Sequence, residues 1–91
     1  MKGILVGVKY PQMTYDFEVS MQELEQLAFA CDIEVKTVVI QNLEVISPKY
    51  YIGKGKVMDI GELLETDDIV IFNEELTPLQ MKNLTDIWQV E

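Results

Sequence analysis

Apolar residues along this chain fall into two patterns, short unbroken runs and longer helical spacings, divided by turn residues. Ile4-Leu5-Val6-Gly7-Val8 is an unbroken run that ends at Lys9-Tyr10-Pro11, where proline stops it. Without polar alternation it reads as a strand buried on both faces. Ile33 to Ile40, rich in β-branched residues, reads as a second strand. Ile69-Val70-Ile71-Phe72, entered through an Asp67-Asp68 turn, reads as another buried strand. Between them lie helical signals. Ser20-Met21-Gln22-Glu23 has the spacing of a capping box, with Val19 and Leu24 placed as its hydrophobic staple. Leu24, Leu27, Ala28 and Cys31 follow at helical spacing, so the first helix is expected over about Met21 to Cys31, with 13–19 as loop or an extra turn.

The second helix follows Gly53-Lys54-Gly55-Lys56 and carries Val57, Ile60, Leu63 and Leu64 on one face. The third has the fuller start signal. Thr77 is its N-cap, Pro78 is N1 and Gln80 is N3, with Leu76 and Met81 as staple. It is expected to bury Leu84, Ile87 and Trp88. Gln41 to Lys49 reads as a loop containing Pro48, and Tyr50-Tyr51-Ile52 as a short third strand whose direction stays open. Strand, helix and strand at these lengths form right-handed βαβ units.

The expected fold is therefore α/β: a small open, mainly parallel sheet flanked by helices. Ile4–Val8, Ile33–Ile40 and Ile69–Phe72 are expected at its centre. Its carboxyl edge would carry Tyr10, Gln41 and Asn73–Thr77. At Val90-Glu91 the rhythm calls for one more strand, so the sheet is expected to be truncated before its last strand, and its exposed edge is a candidate dimer contact.

Composition narrows the function. Ninety-one residues support one domain and one core. Sixteen acids oppose seven Lys, with no Arg, and a net charge of −9 argues against a free-standing nucleic-acid binder. With no His and one Cys, a zinc site and a Ser-His or Cys-His nucleophile pair are excluded, as is an internal disulfide. Cys31 reads as a small buried apolar residue. No run approaches the roughly 18 apolar residues of a membrane span, and no secretory leader pattern opens the chain, so the expected location is the cytoplasm.

Two local features hold candidate chemistry. Gly53, Lys54, Gly55 and Lys56 combine small residues, charge and a following helix start, which suits a phosphate. It is not a Walker loop, because Val57 stands where Ser or Thr would meet magnesium. The other reading is a tight strand-to-helix turn. Between Val45 and Met58, Lys49, Lys54 and Lys56 occur with no acid, beside Tyr50 and Tyr51, whereas 59–75 carries seven acids and no lysine. A basic and aromatic patch on an acidic body can grip one RNA backbone segment. The carboxylates, Glu74-Glu75 included, read as solvated, with no catalytic pair and no metal site.

Tyr51-Ile52-Gly53-Lys54-Gly55-Lys56 resembles the Y-x-G-x-G-K loop in the N-terminal domain of HflX-type GTPases. About twenty residues on, Ile71-Phe72-Asn73-Glu74-Glu75-Leu76-Thr77-Pro78-Leu79-Gln80-Met81-Lys82-Asn83-Leu84 is similar to that family's V-I-F-D-x-x-L-[ST]-P-x-Q-x-R-N-L. Gln41 also falls where the family has glutamine. The resemblance spans nearly the whole chain and implies that 1–91 is an HflX-type N-terminal domain, without the GTPase domain. It implies a fragment that is no enzyme, with no cofactor of its own, and a parent that uses GTP and magnesium in its GTPase domain. It implies a parent that binds the 50S ribosomal subunit and splits or rescues ribosomes, this domain contributing contacts to ribosomal RNA through Gln80, Lys82 and Asn83 on the exposed side of the third helix. Lys82 stands for the family arginine and Asn73 for the family aspartate. The alternatives are a nucleotide domain holding ATP or GTP phosphate on Gly53–Lys56, and a protein-interaction module.

Overall fold

In a computed structural model, which describes residues 1–11, 13 and 16–88, the order is β1 (Lys2–Lys9), α1 (Phe17–Ala30), β2 (Glu34–Asn42), α2 (Lys54–Leu63), β3 (Ile69–Phe72) and α3 (Pro78–Trp88). The three strands form a parallel sheet in the order β2-β1-β3. The α/β expectation holds. The expected final strand at Val90-Glu91 lies outside the described residues.

β1 is buried from Gly3 to Val8. Its side chains alternate between two cores, one on each face of the sheet. Leu5 meets Phe17, Met21, Leu24 and Ala28 of α1. Ile4, Val6 and Val8 meet Tyr51, Ile52, Val57 and Ile60, with Leu84 of α3. This division is a result of topology. The first crossover runs from β1 to β2 and the second returns past β1 to β3, so crossovers of one hand put α1 and α2 on opposite faces. Gly7 sits beneath α1: a Cβ there would run into Met21 Sδ and come within 3.0 Å of the Phe17 ring.

Several expectations need correction. Among the described residues β2 is an edge strand, paired with β1, and Val35, Val38 and Ile40 are exposed. β3 is the other edge. The β-branched run gave β2 its strand propensity, but propensity does not report how many neighbours a strand has. α1 begins four residues earlier than expected. Asp16 is its N-cap, its Oδ1 accepting from the Val19 amide at 3.1 Å. Ser20 lies inside the helix, and its hydroxyl donates to the Phe17 carbonyl. The capping-box spacing at Ser20–Glu23 is thus coincidental, because Phe17 and Met21, one turn apart, both bury against β1 and carry the helix back to Asp16. Val19 is accordingly exposed.

Cys31 is exposed, not buried. It caps the end of α1, where Asp32 takes a left-handed φ of 57°. The Ile33 amide then reaches Ala28 O at 2.9 Å and the Asp32 amide reaches Phe29 O at 3.1 Å, a Schellman closure. Tyr50–Ile52 is a turn, not a strand. Only Tyr51 makes a bridge, antiparallel to Ser47. In α2, Val57 and Ile60 are buried, but Leu63 is exposed and Leu64 lies past the helix end. In α3, Leu84 is buried, Trp88 is half-buried, and Ile87 and Met81 are exposed.

The Asp67-Asp68 turn forms as expected, with Asp67 at φ 73°. Asp68 is buried, and its Oδ2 accepts from Lys36 Nζ of β2 at 2.6 Å and from the Glu65 amide at 2.9 Å. Lys36 also donates to Leu63 O at the end of α2, at 3.0 Å, where the helix dipole favours a cation. The Lys36 hydrogen bond holds the Asp68 carboxyl below its ordinary 3.8, and the same bond raises Lys36 above 10.5.

Replacing Lys36 by Met is expected to lower the urea midpoint at neutral pH, since Asp68 loses its counterion. A depressed carboxyl contributes stability above its ordinary pKa and loses it as pH falls through the folded value. A raised amine contributes below its ordinary pKa and loses that as pH rises through the folded value. The gap between wild type and variant should therefore be flat from about pH 5 to 9 and shrink at both ends. Urea melts of both proteins across that range and beyond each end of it check this. Gly7→Ala should cost about 1–3 kcal/mol through overpacking under α1, read from the same melts.

Candidate functional site

β1 lies between neighbours reached by crossovers on opposite faces, so the carboxyl end of the sheet opens a crevice between β1 and β3. The segments following β1, β2 and β3 meet there. Asn73, directly after β3, accepts on Oδ1 from the Val8 amide at 3.4 Å and from the Tyr51 hydroxyl at 3.2 Å. Its Nδ2 reaches Ser20 Oγ of α1 at 3.5 Å. Glu74 accepts from the Tyr10 hydroxyl at 2.8 Å on Oε1 and from the Tyr51 hydroxyl at 2.8 Å on Oε2. The hydrogen bond to Glu74 raises the Tyr10 hydroxyl above its ordinary pKa of 10.0, because only the protonated phenol can donate that bond; burial and the Glu74 charge act in the same direction. Reading Glu74 as a solvated acid is thereby corrected: it ties two tyrosines.

Tyr51 is a residue of opposing demands. Its φ of 71° is a conformation that bulky side chains rarely adopt. Its ring is buried and meets Phe72 edge-on, with centroids 5.5 Å apart. Burial of the ring and the bond to Glu74 hold this backbone in place.

The next residues hold the loop from below. Gln41, the penultimate residue of β2, is in register with Val8, so its side chain points to the face that Tyr51 and Ile52 cover. Its Oε1 accepts from the Gly53 amide at 2.9 Å. Gly53 is the N-cap of α2, with an extended backbone that any residue could adopt. The approach is close there, since a Cβ would lie 3.0 Å from Gln41 Nε2 and would press on the side chain that holds the Gly53 amide. Gly55 differs: a Cβ there meets nothing within 4 Å. The start of α2 has no side-chain cap and no acid in its first turn, but carries Lys54 and Lys56. No described glycine has a positive φ, so Gly53–Lys56 does not form the alternating backbone nest of a phosphate loop.

From the other side, α3 grips the same loop. The capping box forms as expected. The Gln80 amide donates to Thr77 Oγ1 at 3.1 Å, and the Thr77 amide donates to Gln80 Oε1 at 2.9 Å. Gln80 has a further bond, from Nε2 to Ser47 O at 2.8 Å, and it is buried. The expectation that Gln80 lies on the exposed side of α3 is therefore corrected. Asn83 Nδ2 donates to Lys49 O at 3.0 Å, which fixes the loop two residues further on. Lys82 is exposed, paired with Asp86 at 3.2 Å. Lys49 Nζ stands 5.2 Å from the Tyr50 ring centroid. The sequence-predicted residues thus separate: Gln80 and Asn83 hold the loop, Lys54, Lys56 and Lys49 are carried on it, and Lys82 lies apart on the helix surface.

Two of the shallow clefts beside these elements flank β3. One of about 400 Å³ lies against Ser20, Glu23, Phe72, Asn73, Glu74 and Glu75. The other, about 340 Å³, runs between β3 and α3 along Phe72, Leu76, Met81, Leu84 and Trp88. Neither reaches Gly53–Lys56. Among the described residues no group of three His, Cys, Asp or Glu side chains is placed to hold a metal, and no helix is long and apolar enough to cross a membrane.

Sequence reasoning misses the Tyr10–Glu74–Tyr51 bonds. It places Tyr10 and Glu74 together at the carboxyl edge, but the reversal that brings Tyr51 back over Val8 is not a pattern in the chain.

Thr77→Ala should cost about 1 kcal/mol through the lost cap. Gln80→Ala should cost more, because the Ser47 carbonyl also loses its donor. The double variant should cost less than the sum, as both sit in one network. Urea denaturation of the four proteins tests this.

A family described as the GTP-binding GTPase N-terminal matches residues 18–91. Proteins named GTPase HflX are similar over most of the chain. The one from Alkalihalophilus pseudofirmus is 41% identical over 83 residues, covering 89% of this chain and 20% of its own. That from Escherichia coli is 31% identical over 85 residues, 91% of this chain and 20% of its own. That from Methanocaldococcus jannaschii is 39% identical over 74 residues, 79% and 18% respectively. The chain spans about a fifth of the length of the curated relatives it matches.

Proposed function

The chain belongs to the family of N-terminal domains of HflX-type GTPases, and from that premise we propose that it is the non-catalytic, RNA-contacting domain of a cytoplasmic GTPase that binds the 50S ribosomal subunit and splits or rescues ribosomes. GTP and magnesium belong to the GTPase domain of the full-length protein. This domain contributes phosphate contacts from the loop 49–56 and from Lys82.

The start of α2 carries this reading. A helix N-terminus concentrates unpaired amides and positive dipole, so acids and capping side chains normally stabilise it. Here there is no side-chain cap and no acid, and two lysines add like charge. Gly55 costs a helix roughly 1 kcal/mol relative to Ala and has no internal contact that demands it. These choices oppose the stability of α2 in isolation; an incoming anion would offset the missing cap and the two like charges, and Gly55 leaves the backbone open to its approach. Lys49 extends the same charge along the clamped loop.

Both RNA and a nucleotide offer a phosphate. RNA is favoured because Gly53–Lys56 has no residue of positive φ and so lacks the backbone nest that cradles a nucleotide phosphate, whereas Lys49, Lys54 and Lys56 are spread along the chain beside Tyr50, as an extended phosphate backbone requires. Gln80, already committed to Thr77 and Ser47, serves the RNA contact indirectly by holding the loop. The net charge of −9 then limits non-specific binding and leaves the remaining domains to supply more cations.

Lys54→Glu with Lys56→Glu separates folding from binding. Acids in the first turn of α2 should leave stability unchanged or raise it by about 0.3–1 kcal/mol each. The same change should weaken co-sedimentation of the full-length, GTP-bound protein with 50S subunits. It should also flatten the salt dependence of binding by about 0.7–0.9 in log–log slope for each lost phosphate contact. Unchanged co-sedimentation after reversal of Lys49, Lys54, Lys56 and Lys82 together would reject the RNA-contacting role. Calorimetric titration with ATP or GTP should give no heat attributable to this domain; saturable binding abolished by the Lys54/Lys56 reversal would favour the nucleotide reading.

A further inference from the structure

Side chains from three separate parts of the chain make hydrogen bonds that converge on the segment 47–53. Gln41 at the end of β2 accepts from the Gly53 amide, Gln80 and Asn83 of α3 donate to the carbonyls of Ser47 and Lys49, and Glu74 after β3 accepts from the Tyr51 hydroxyl. Three of these grip backbone. The fourth grips a side chain, that of the one residue in the loop with a left-handed backbone.

That residue sets the course of the chain into α2. Tyr51 lies between Lys49 and Lys54, and its φ of 71° turns the chain so that Ile52 enters the core and Gly53 caps α2. Non-glycine residues hold such a backbone only against a steric cost, because Cβ crowds the neighbouring carbonyl oxygen. A relaxed Tyr51 would therefore swing Lys49 and Tyr50 relative to Lys54 and Lys56. The buried ring, edge-on to Phe72, anchors the side chain in one plane. The hydroxyl bonds to Glu74 and Asn73 fix its far end. Glu74 is in turn held by the Tyr10 hydroxyl through contacts of 2.8 and 3.0 Å, which links it to the segment after β1.

We propose that the Tyr51–Glu74 pair is a positioning device for the basic loop, holding Lys49 and Lys54–Lys56 in the single arrangement that meets a phosphate backbone. The inference rests on the RNA-contacting reading of that loop. Neither residue touches RNA; Glu74, an acid, would repel it. Its value lies in preorganisation, because a loop already in its bound geometry does not lose further freedom on binding.

The test uses the full-length protein with Tyr51→Phe, which keeps the buried ring and removes one hydroxyl, and with Glu74→Ala as a second variant. Two readouts are taken: hydrogen exchange of the amides in 47–57 in the free protein, and co-sedimentation of the GTP-bound protein with 50S subunits. Tyr51→Phe should speed exchange in that segment several-fold while amides in β1 stay protected, and should weaken 50S binding several-fold. Glu74→Ala should do the same, and combining the two should add little to either alone. Unchanged exchange in both variants overturns the proposal. Faster exchange with unchanged 50S binding also overturns it, since the pair would then hold the fold without positioning the lysines. Reversal of Lys54 and Lys56 is run beside them. If that reversal leaves binding intact, the RNA reading fails on its own evidence; if it abolishes binding while Tyr51→Phe does not weaken it, the positioning role alone fails.

Discussion

Burial of β1 on both faces is the constraint on which the rest of this domain depends. A strand with no exposed side chain from Gly3 to Val8 needs cover above and below and a hydrogen-bonded neighbour on each side. Parallel neighbours require crossovers, and crossovers of one hand that run in opposite directions across the sheet, from β1 to β2 and from β2 back past β1 to β3, place helices on opposite faces. One apolar run in the sequence therefore demands α1 on one side and α2 with α3 on the other. It also opens the crevice at the carboxyl end, where the three following segments meet.

The same constraint explains why the loop 47–53 is so strongly held. Ile4, Val6 and Val8 need a roof over their carboxyl end, beyond the reach of α2 alone. Tyr51 and Ile52 supply it, both buried against Val57, Ile60 and Leu84. Lowering two successive residues of a loop into a core leaves backbone groups that must be satisfied, and Gln41, Gln80 and Asn83 satisfy those of Gly53, Ser47 and Lys49. The lysines carried by the loop are thus fixed as a consequence of core packing. A surface with few cations gains most from such fixation, since each is presented without competing positions.

Much of the architecture was legible in the chain. The run Ile4–Val8 announced double burial, Thr77-Pro78-Leu79-Gln80 announced a capping box that forms with both bonds, and Asp67-Asp68 announced its turn. Ser20–Glu23 had the same capping spacing and was misleading, because a capping box is decided by which apolar residues one turn away find a core. Phe17 and Met21 do, and the helix starts at Asp16. Cys31 and β2 were misjudged for a related reason. Helical spacing and β-branching describe what a segment prefers, and exposure depends on what packs against it. Gln80 followed the same rule in the other direction: a polar residue in an exposed-looking register was buried because Ser47 O needed its donor.

The sequence by itself determined the α/β class, the location of each described element within a few residues, the cluster of lysines without acids and the family to which the chain belongs. These depend on local spacing and on residue types in order, which are present before folding. Tertiary structure alone decided that β1 is the central strand, that Tyr51 turns left-handed, and that Glu74, Gln41, Gln80 and Asn83 hold one loop between them. Gln41 and Asn83 stand in different halves of the chain, and no local preference relates them. Only the closing of the core over β1 brings the donors and acceptors to within hydrogen-bonding distance.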